Sequence, residues 1–559
     1  MRRIRILAPV FFERFFDSDF AAGAASLKTS FFFMVAFLAV PGIFMPVLMS
    51  PSWYFIANYY GLARLDELVR ADKVVYLSYT AWALGLVVSM TWNAMLLDRR
   101  DGLVLGSLPV SGREIVGAKT AALFGYAGAL MVTMHLGASL CFGLFLGNVR
   151  GFGSVAATAL AGFVASSLCG LFVVGSIVAL QGVALMLFGG RRFTNVSPFL
   201  QLAVVAMLLV AGLYLPEIAA GVTDTLAGAG PHNTPWILRT PPLWYLGVYD
   251  VLLGFRDPML ISLAAKGIVN LAIVVTLALV AMPLSYSRLM TAAVEQSVGA
   301  KRRGVLNAAV GAFVRLVART PQRRGIAEFL LQSIVRHGRP RLAMAVAIGA
   351  AAAWAGPTIA VELAHGLGAA PSAALLGVPL AVMVLLIAGF RVAASLPSDL
   401  PPRWLFATMA PTDADVRSAL RHVTTAAAVL LPAAAAAVAI ASRWDASQAA
   451  LHFLVCASTG LLLVELAFHD FAGVPCARTW RPDGANLRAW WPAYIGGFLL
   501  IVSGLPHAEL LLRGNSLAAV VMVATPLVGV VAIRFISRNG RAVPEGDADE
   551  PATLQVLDL

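Results

Sequence analysis

Few residues in this 559-residue chain have types and spacing that could do chemistry. Glu465 and His469 stand four apart and are followed by Asp470. On a helix that spacing brings a carboxylate and an imidazole to one face, as metal ligands or as a proton relay. A zinc-binding H-E-x-x-H has two histidines where this segment has one, so ordinary hydrogen-bonded polar residues are expected. Gly112-Arg113-Glu114-Ile115-Val116-Gly117-Ala118-Lys119-Thr120 comes close to the phosphate loop G-x-x-x-x-G-K-[ST]. Ala118 inserts one residue before the lysine, and the segment enters an apolar run instead of following a strand. No nucleotide site is expected there, and no other stretch offers a better loop, so any ATP hydrolysis would fall to a separate chain. His135 and Lys266 lie inside apolar runs, where an ionised side chain costs about 3 kcal/mol. Lys266 can snorkel to the membrane surface, and His135 can stay neutral and hydrogen-bonded. Cys141, Cys169, Cys456 and Cys476 show no C-x-x-C spacing and read as packing residues, with no metal and no cofactor expected on the chain.

The elements that must position these residues are membrane helices. The chain is 59% hydrophobic and 13% charged, against about 45–50% apolar and 25% charged for a soluble domain, which excludes a soluble globule. The apolar residues gather into runs long enough to cross a bilayer: 30–50, 74–96, 120–146, 154–188, 198–220, 259–284, 342–362, 372–394, 422–441, 448–469, 491–511 and 516–536. The fold class expected is an all-α polytopic membrane protein of about 12 helices in two halves. With the N-terminus cytoplasmic, about 32 of the 41 Lys and Arg fall on the inner side, as the positive-inside rule requires. Both termini are then cytoplasmic. The basic opening Met1-Arg2-Arg3 is followed by an apolar stretch that Glu13-Arg14 interrupts, too short for a cleaved signal.

The expected organisation is an amphipathic interfacial helix within 1–29, a six-span half over 30–284, a basic linker with an interfacial helix over 285–341, a second six-span half over 342–536, and a disordered cytoplasmic tail over 537–559. The external stretch 221–258 is rich in Pro and Trp and reads as a loop with its aromatics at the membrane interface. The net charge of +12 could suggest nucleic acid. Segment 301–341 has only Phe313 and Phe329 for stacking, so anionic lipid is the expected partner of its basic residues and nucleic acid is not.

The halves share a pattern. Pro109 and Pro411 each precede by two residues a helix-capping type, Ser111 and Asp413, and each segment then runs through a polar stretch to a basic residue, Lys119 and Arg421. Upstream, Arg5, Pro9, Glu13 and Asp17 form a polar stripe before the first span, as Arg324, Glu328, Gln332 and Arg336 do before the seventh.

The loop Asp98-Arg99-Arg100-Asp101-Gly102 through Leu108-Pro109-Val110-Ser111-Gly112-Arg113-Glu114-Ile115-Val116-Gly117-Ala118-Lys119, with the amphipathic N-terminal helix and six spans per half, resembles the permease subunits of type-2 ATP-binding-cassette exporters. The resemblance implies that Pro109, Ser111, Arg113, Glu114 and Lys119 belong to a coupling helix that docks on a separate ATPase subunit. It implies export of a substrate that the sequence does not specify. By position, Pro411, Asp413, Asp415 and Arg421 would form a second coupling segment. In this alignment Asp415 replaces Arg113 and Val416 replaces Glu114, so the first segment is expected to dominate. A secondary transporter and a membrane-bound enzyme or assembly scaffold are the alternatives. The former needs ionisable pairs near the midplane, and the latter a catalytic cluster at one membrane face.

Overall fold

The computed structural model describes residues 2–16, 27–95, 105, 109–150, 154–227, 235–295, 305–364, 366–368, 370–396, 412–471, 475–476 and 496–539. Among the described residues the structure is 91% helical with no strand, which establishes the all-α class. Ten of these helices are long and apolar enough to cross a membrane. The expected twelve is therefore corrected to ten full-length spans among the described residues. Runs 198–220 and 491–511 instead appear as the shorter apolar stretches Phe199–Gly212 and Gly496–Leu511. The first is cut because the helix ends at Tyr214 and a new one starts at Leu215-Pro216. The residues just before the second lie outside the described set. The chain divides into two compact units, one built mainly from Met1–Arg303 and the other mainly from Gly304 onward.

In the first unit, α1 (Arg2–Phe16) is amphipathic and buries Phe11 and Phe15. α2 (Leu27–Tyr60) and α3 (Leu62–Met90) meet at Gly61, whose φ of 83° allows the sharp reversal that a side chain would strain. α4 (Gly112–Arg150) runs unbroken from the polar loop end through the third span. α5 (Val155–Leu213) contains a break at Gly189, φ 69°, which separates the fourth and fifth apolar runs where the sequence places their boundary. After α6 (Leu215–Ala227), the stretch expected as a loop folds into a 3-10 turn, Pro235–Arg239, and α7 (Pro241–Leu252). Pro241 and Pro242 suit a first helical turn, and Leu243, Tyr245, Leu246 and Tyr249 are then buried. Tyr245 and Tyr249 are thus packed inside the unit, whereas Trp244 and Phe255 are partly exposed and Trp236 is 43% exposed. α8 (Pro258–Glu295) closes the unit, and α3, α4, α5 and α8 surround a core that includes Tyr76, Tyr126 and Phe142.

In the second unit, α9 (Val305–Val317) and α10 (Pro321–Arg336) occupy the segment expected as a basic linker. α11 (Gly338–Ala364) and α12 (Ala373–Ser395) follow. α13 (Asp413–Arg443) is widened by a π-helical segment at Thr425–Leu430. α14 (Ala446–Phe468) packs on α12, α13 and α16 (Ser516–Asn539). α15 (Gly496–Leu511) carries a second π-helical segment, Leu500–Gly504. The tail beyond Asn539 lies outside the described residues.

Candidate functional site

The polar turns that open α4 and α13 are built alike. At the first, Ser111 Oγ accepts the Glu114 N–H at 3.4 Å. Glu114 Oε2 accepts both the Ser111 N–H and its hydroxyl, each at 2.9 Å. This reciprocal capping box satisfies donors that a helix start leaves open. From α1, Arg3 donates to the Pro109 carbonyl and sets its guanidinium 3.6 Å from Glu114 Oε2. At the second, Thr412 Oγ1 accepts the Asp415 N–H at 3.2 Å and donates to Asp415 Oδ2 at 2.7 Å. From α10, Arg323 Nε donates to Asp415 Oδ1 at 3.2 Å.

This geometry corrects the alignment of the halves. Thr412 caps α13 and Asp413 does not, so Ser111 corresponds to Thr412 and Glu114 to Asp415. The registers agree further along: Ile115, Ala118, Lys119 and Ala122 are buried in one helix, and Val416, Ala419, Leu420 and Val423, at the same offsets from the cap, in the other. Neither segment is a separate short helix. Each is the first turns of a long one, because no proline falls within the turns that follow the cap. Pro411 lies outside the described residues.

The candidate residues therefore divide by direction. Arg113 and Asp413 are exposed, whereas Glu114 and Asp415 are tied into their own turns and to α1 and α10. Lys119 is buried, with its ammonium 5.0 and 5.1 Å from the ring centres of Phe11 and Phe15, so it is not offered to a phosphate. Arg421 turns inward, 3.0 Å from Glu465 Oε1. Arg534 holds the same carboxylate, with Nε 3.3 Å from Oε1 and Nη2 3.4 Å from Oε2. His469 does not share this site: it lies half-exposed near the Leu466 carbonyl and Asp470. The Glu465/His469 pairing is thus replaced by an Arg421–Glu465–Arg534 cluster. Among the described residues no three His, Cys, Asp or Glu side chains could hold a metal.

Two further clusters have no local signature. Asp250 of α7, fully buried, accepts from Lys73 Nζ at 2.7 Å and Arg70 Nε at 2.9 Å, both on α3. Lys73 also lies 4.2 Å over the Tyr249 ring. In the second unit His452 Nδ1 lies 2.9 Å from Glu509 Oε2, and Cys456 Sγ 3.4 Å from His452 Nε2. His452 and Glu509 fall in runs 448–469 and 491–511, so the rule that flags His135 and Lys266 flags them too. Their partnership is not readable. His135 itself is buried with Nδ1 2.9 Å from the Tyr76 hydroxyl, and Lys266 is exposed on α8.

Compared with protein-family models, with curated proteins and with solved structures, the chain finds no match in any of the three.

Proposed function

We propose that this multi-pass membrane protein is the permease subunit of an ATP-driven exporter of the type-2 ATP-binding-cassette branch, moving a substrate through the cytoplasmic membrane with both termini inside. ATP hydrolysis belongs to separate ATPase subunits, and this chain contributes no catalytic group to it. The observation that carries the reading is the repeated entry turn. In each half a Ser or Thr cap and an acid three residues later begin a long helix, and an arginine from a preceding amphipathic helix ties down that acid. A motor outside the membrane needs a rigid contact continuous with a spanning helix. A capped turn that runs without a break into α4 or α13 meets that need. Because the two acids are equivalent, both halves dock, which revises the expectation of a dominant first segment. The docking faces are the exposed Arg113 side of one turn and the Asp413 side of the other.

The test is to purify the full chain from its native membrane with mild detergent. The expected result is co-purification of a chain with complete nucleotide-binding motifs and ATP hydrolysis by the complex alone. Transport activity in a preparation lacking any ATPase, driven by an ion gradient, would replace the reading with secondary transport. The buried His452–Glu509 pair and the two π-widened helices are the features that favour that second reading.

A further inference from the structure

Among the described residues of the second unit, the docking scheme leaves the buried His452–Glu509 pair unused. His452 and Glu509 are both almost completely enclosed. His452 lies six residues into α14, about 9 Å along its axis at 1.5 Å per residue, and Glu509 lies two residues from the end of α15. The π-helical segment Leu500–Gly504 fits one extra residue into the turn just before Glu509. An added residue rotates everything beyond it by about 100° on a helix of 3.6 residues per turn. That rotation sets which way Glu509 faces, and here it faces His452. The carboxylate is only half used: Oε2 meets the imidazole, and Oε1 is buried with no hydrogen-bond partner. One turn above and two turns below His452 on α14, Gln448 Oε1 and Thr459 Oγ1 are also buried without partners. Gln448, His452, Cys456 and Thr459 thus form a buried polar stripe along α14.

We propose that His452 and Glu509 form a proton-binding site in the second half, reached along this stripe from the near end of α14. A proton fits where a metal cation does not. Sodium, magnesium or calcium needs several converging oxygens, which this cluster lacks, and among the described residues no group of three His, Cys, Asp or Glu side chains could hold a metal ion. A proton needs only a donor and an acceptor, and the Oε2–Nδ1 contact provides both. The step is a plain transfer: water delivers a proton to Glu509, the proton is held between Oε2 and Nδ1, and it returns to water by the same route. No bond to carbon or sulfur changes. Among the described residues, the other buried charges of the neighbouring elements lie away from this pair: Arg421 of α13 meets Glu465, which is 13 residues beyond His452 on α14. α12 carries Arg391 at its far end, and α16 carries Arg534 at its far end on Glu465. Arg443 and Asp445 stand where α13 meets α14, and on α15 His507 is exposed near the Ser503 carbonyl, with Arg513 just beyond the helix. The inference requires a membrane-embedded chain but not an ATPase, so it stands or falls separately from the permease reading.

The experiment uses the full chain in lipid nanodiscs. Infrared difference spectra are recorded between mildly acidic and mildly alkaline buffer for the wild type, Glu509→Gln and His452→Gln. The expected result is a carboxylic-acid carbonyl band that is lost in Glu509→Gln, displaced in His452→Gln, and shifted in heavy water. Identical difference spectra for wild type and Glu509→Gln overturn the proposal. If Glu509→Gln does not fold, His452→Gln decides alone, and a carbonyl region unchanged from wild type overturns the proposal.

Discussion

Asp250 lies in a fully buried position and meets two cations, and which of the three charges is removed decides the consequence. Taking two charges out of water is costly, and a buried pair is repaid only by close geometry and additional hydrogen bonds. Here the carboxylate engages Lys73 through one oxygen and Arg70 through the other, and Lys73 gains the face of the Tyr249 ring. Asp250→Asn strands the Lys73 ammonium inside the unit and should cost about 3–5 kcal/mol. Asp250→Asn combined with Lys73→Met should recover most of that loss. Thermal unfolding in detergent checks both, and a double variant no more stable than the single one would show that the cluster is not held by charge pairing. The ties at the entry turns are of a different size. Arg3–Glu114 and Arg323–Asp415 are partly exposed and screened by water, so Arg3→Gln or Arg323→Gln should cost far less than Asp250→Asn. The expected effect is faster proteolysis of α1 or α10 with the rest of the chain intact.

The entry turns owe their rigidity to backbone capping more than to those arginines. Ser111→Ala and Thr412→Ala each remove a cap worth about 1 kcal/mol. Hydrogen exchange should quicken over 112–118 and 413–419 respectively and nowhere else, whereas Asp413→Ala, which keeps the Thr412 cap, should quicken exchange over 413–419 less than Thr412→Ala does. The existence of the two turns was legible from proline, cap type and position, and so were the amphipathic helices before each half. The one-residue register was not. Thr412 and Asp413 are both capping types, and what separates them is the extended backbone of Thr412, with ψ of 149°, set by how the chain enters the helix. Two of the aromatics of 221–258 misled for a related reason. Tyr245 and Tyr249 suit a membrane interface by type, and only the helix begun by Pro241-Pro242 turns them inward. The π segment of α15 rests on packing as well. A Cβ at Gly377 of α12 would lie 2.4 Å from the Val502 carbonyl oxygen, so Gly377→Ala should lower thermal stability and should disturb the Glu509 region in hydrogen exchange.

At the scale of the whole molecule, apolar runs fix the class of the protein and basic residues propose its orientation, because both depend on composition over twenty or more residues. The buried clusters depend on partners 57 to 180 residues apart, as in His452–Glu509 and Arg70–Asp250, and no local pattern joins those. Orientation is checked by cysteine labelling in sealed cells, with residue 230 expected to react from outside and residue 310 not. The permease reading rests on both entry turns meeting an ATPase, and charge reversal on their exposed faces addresses it most directly. Arg113→Glu and Asp413→Arg leave the capping bonds and the inward ties in place, while like charge set against like at an interface costs several kcal/mol. The measurement is the amount of ATPase retained with each variant at matched membrane expression. Marked loss with either variant, and greater loss with both together, is the predicted result. Full retention of the ATPase by the double variant would contradict the account.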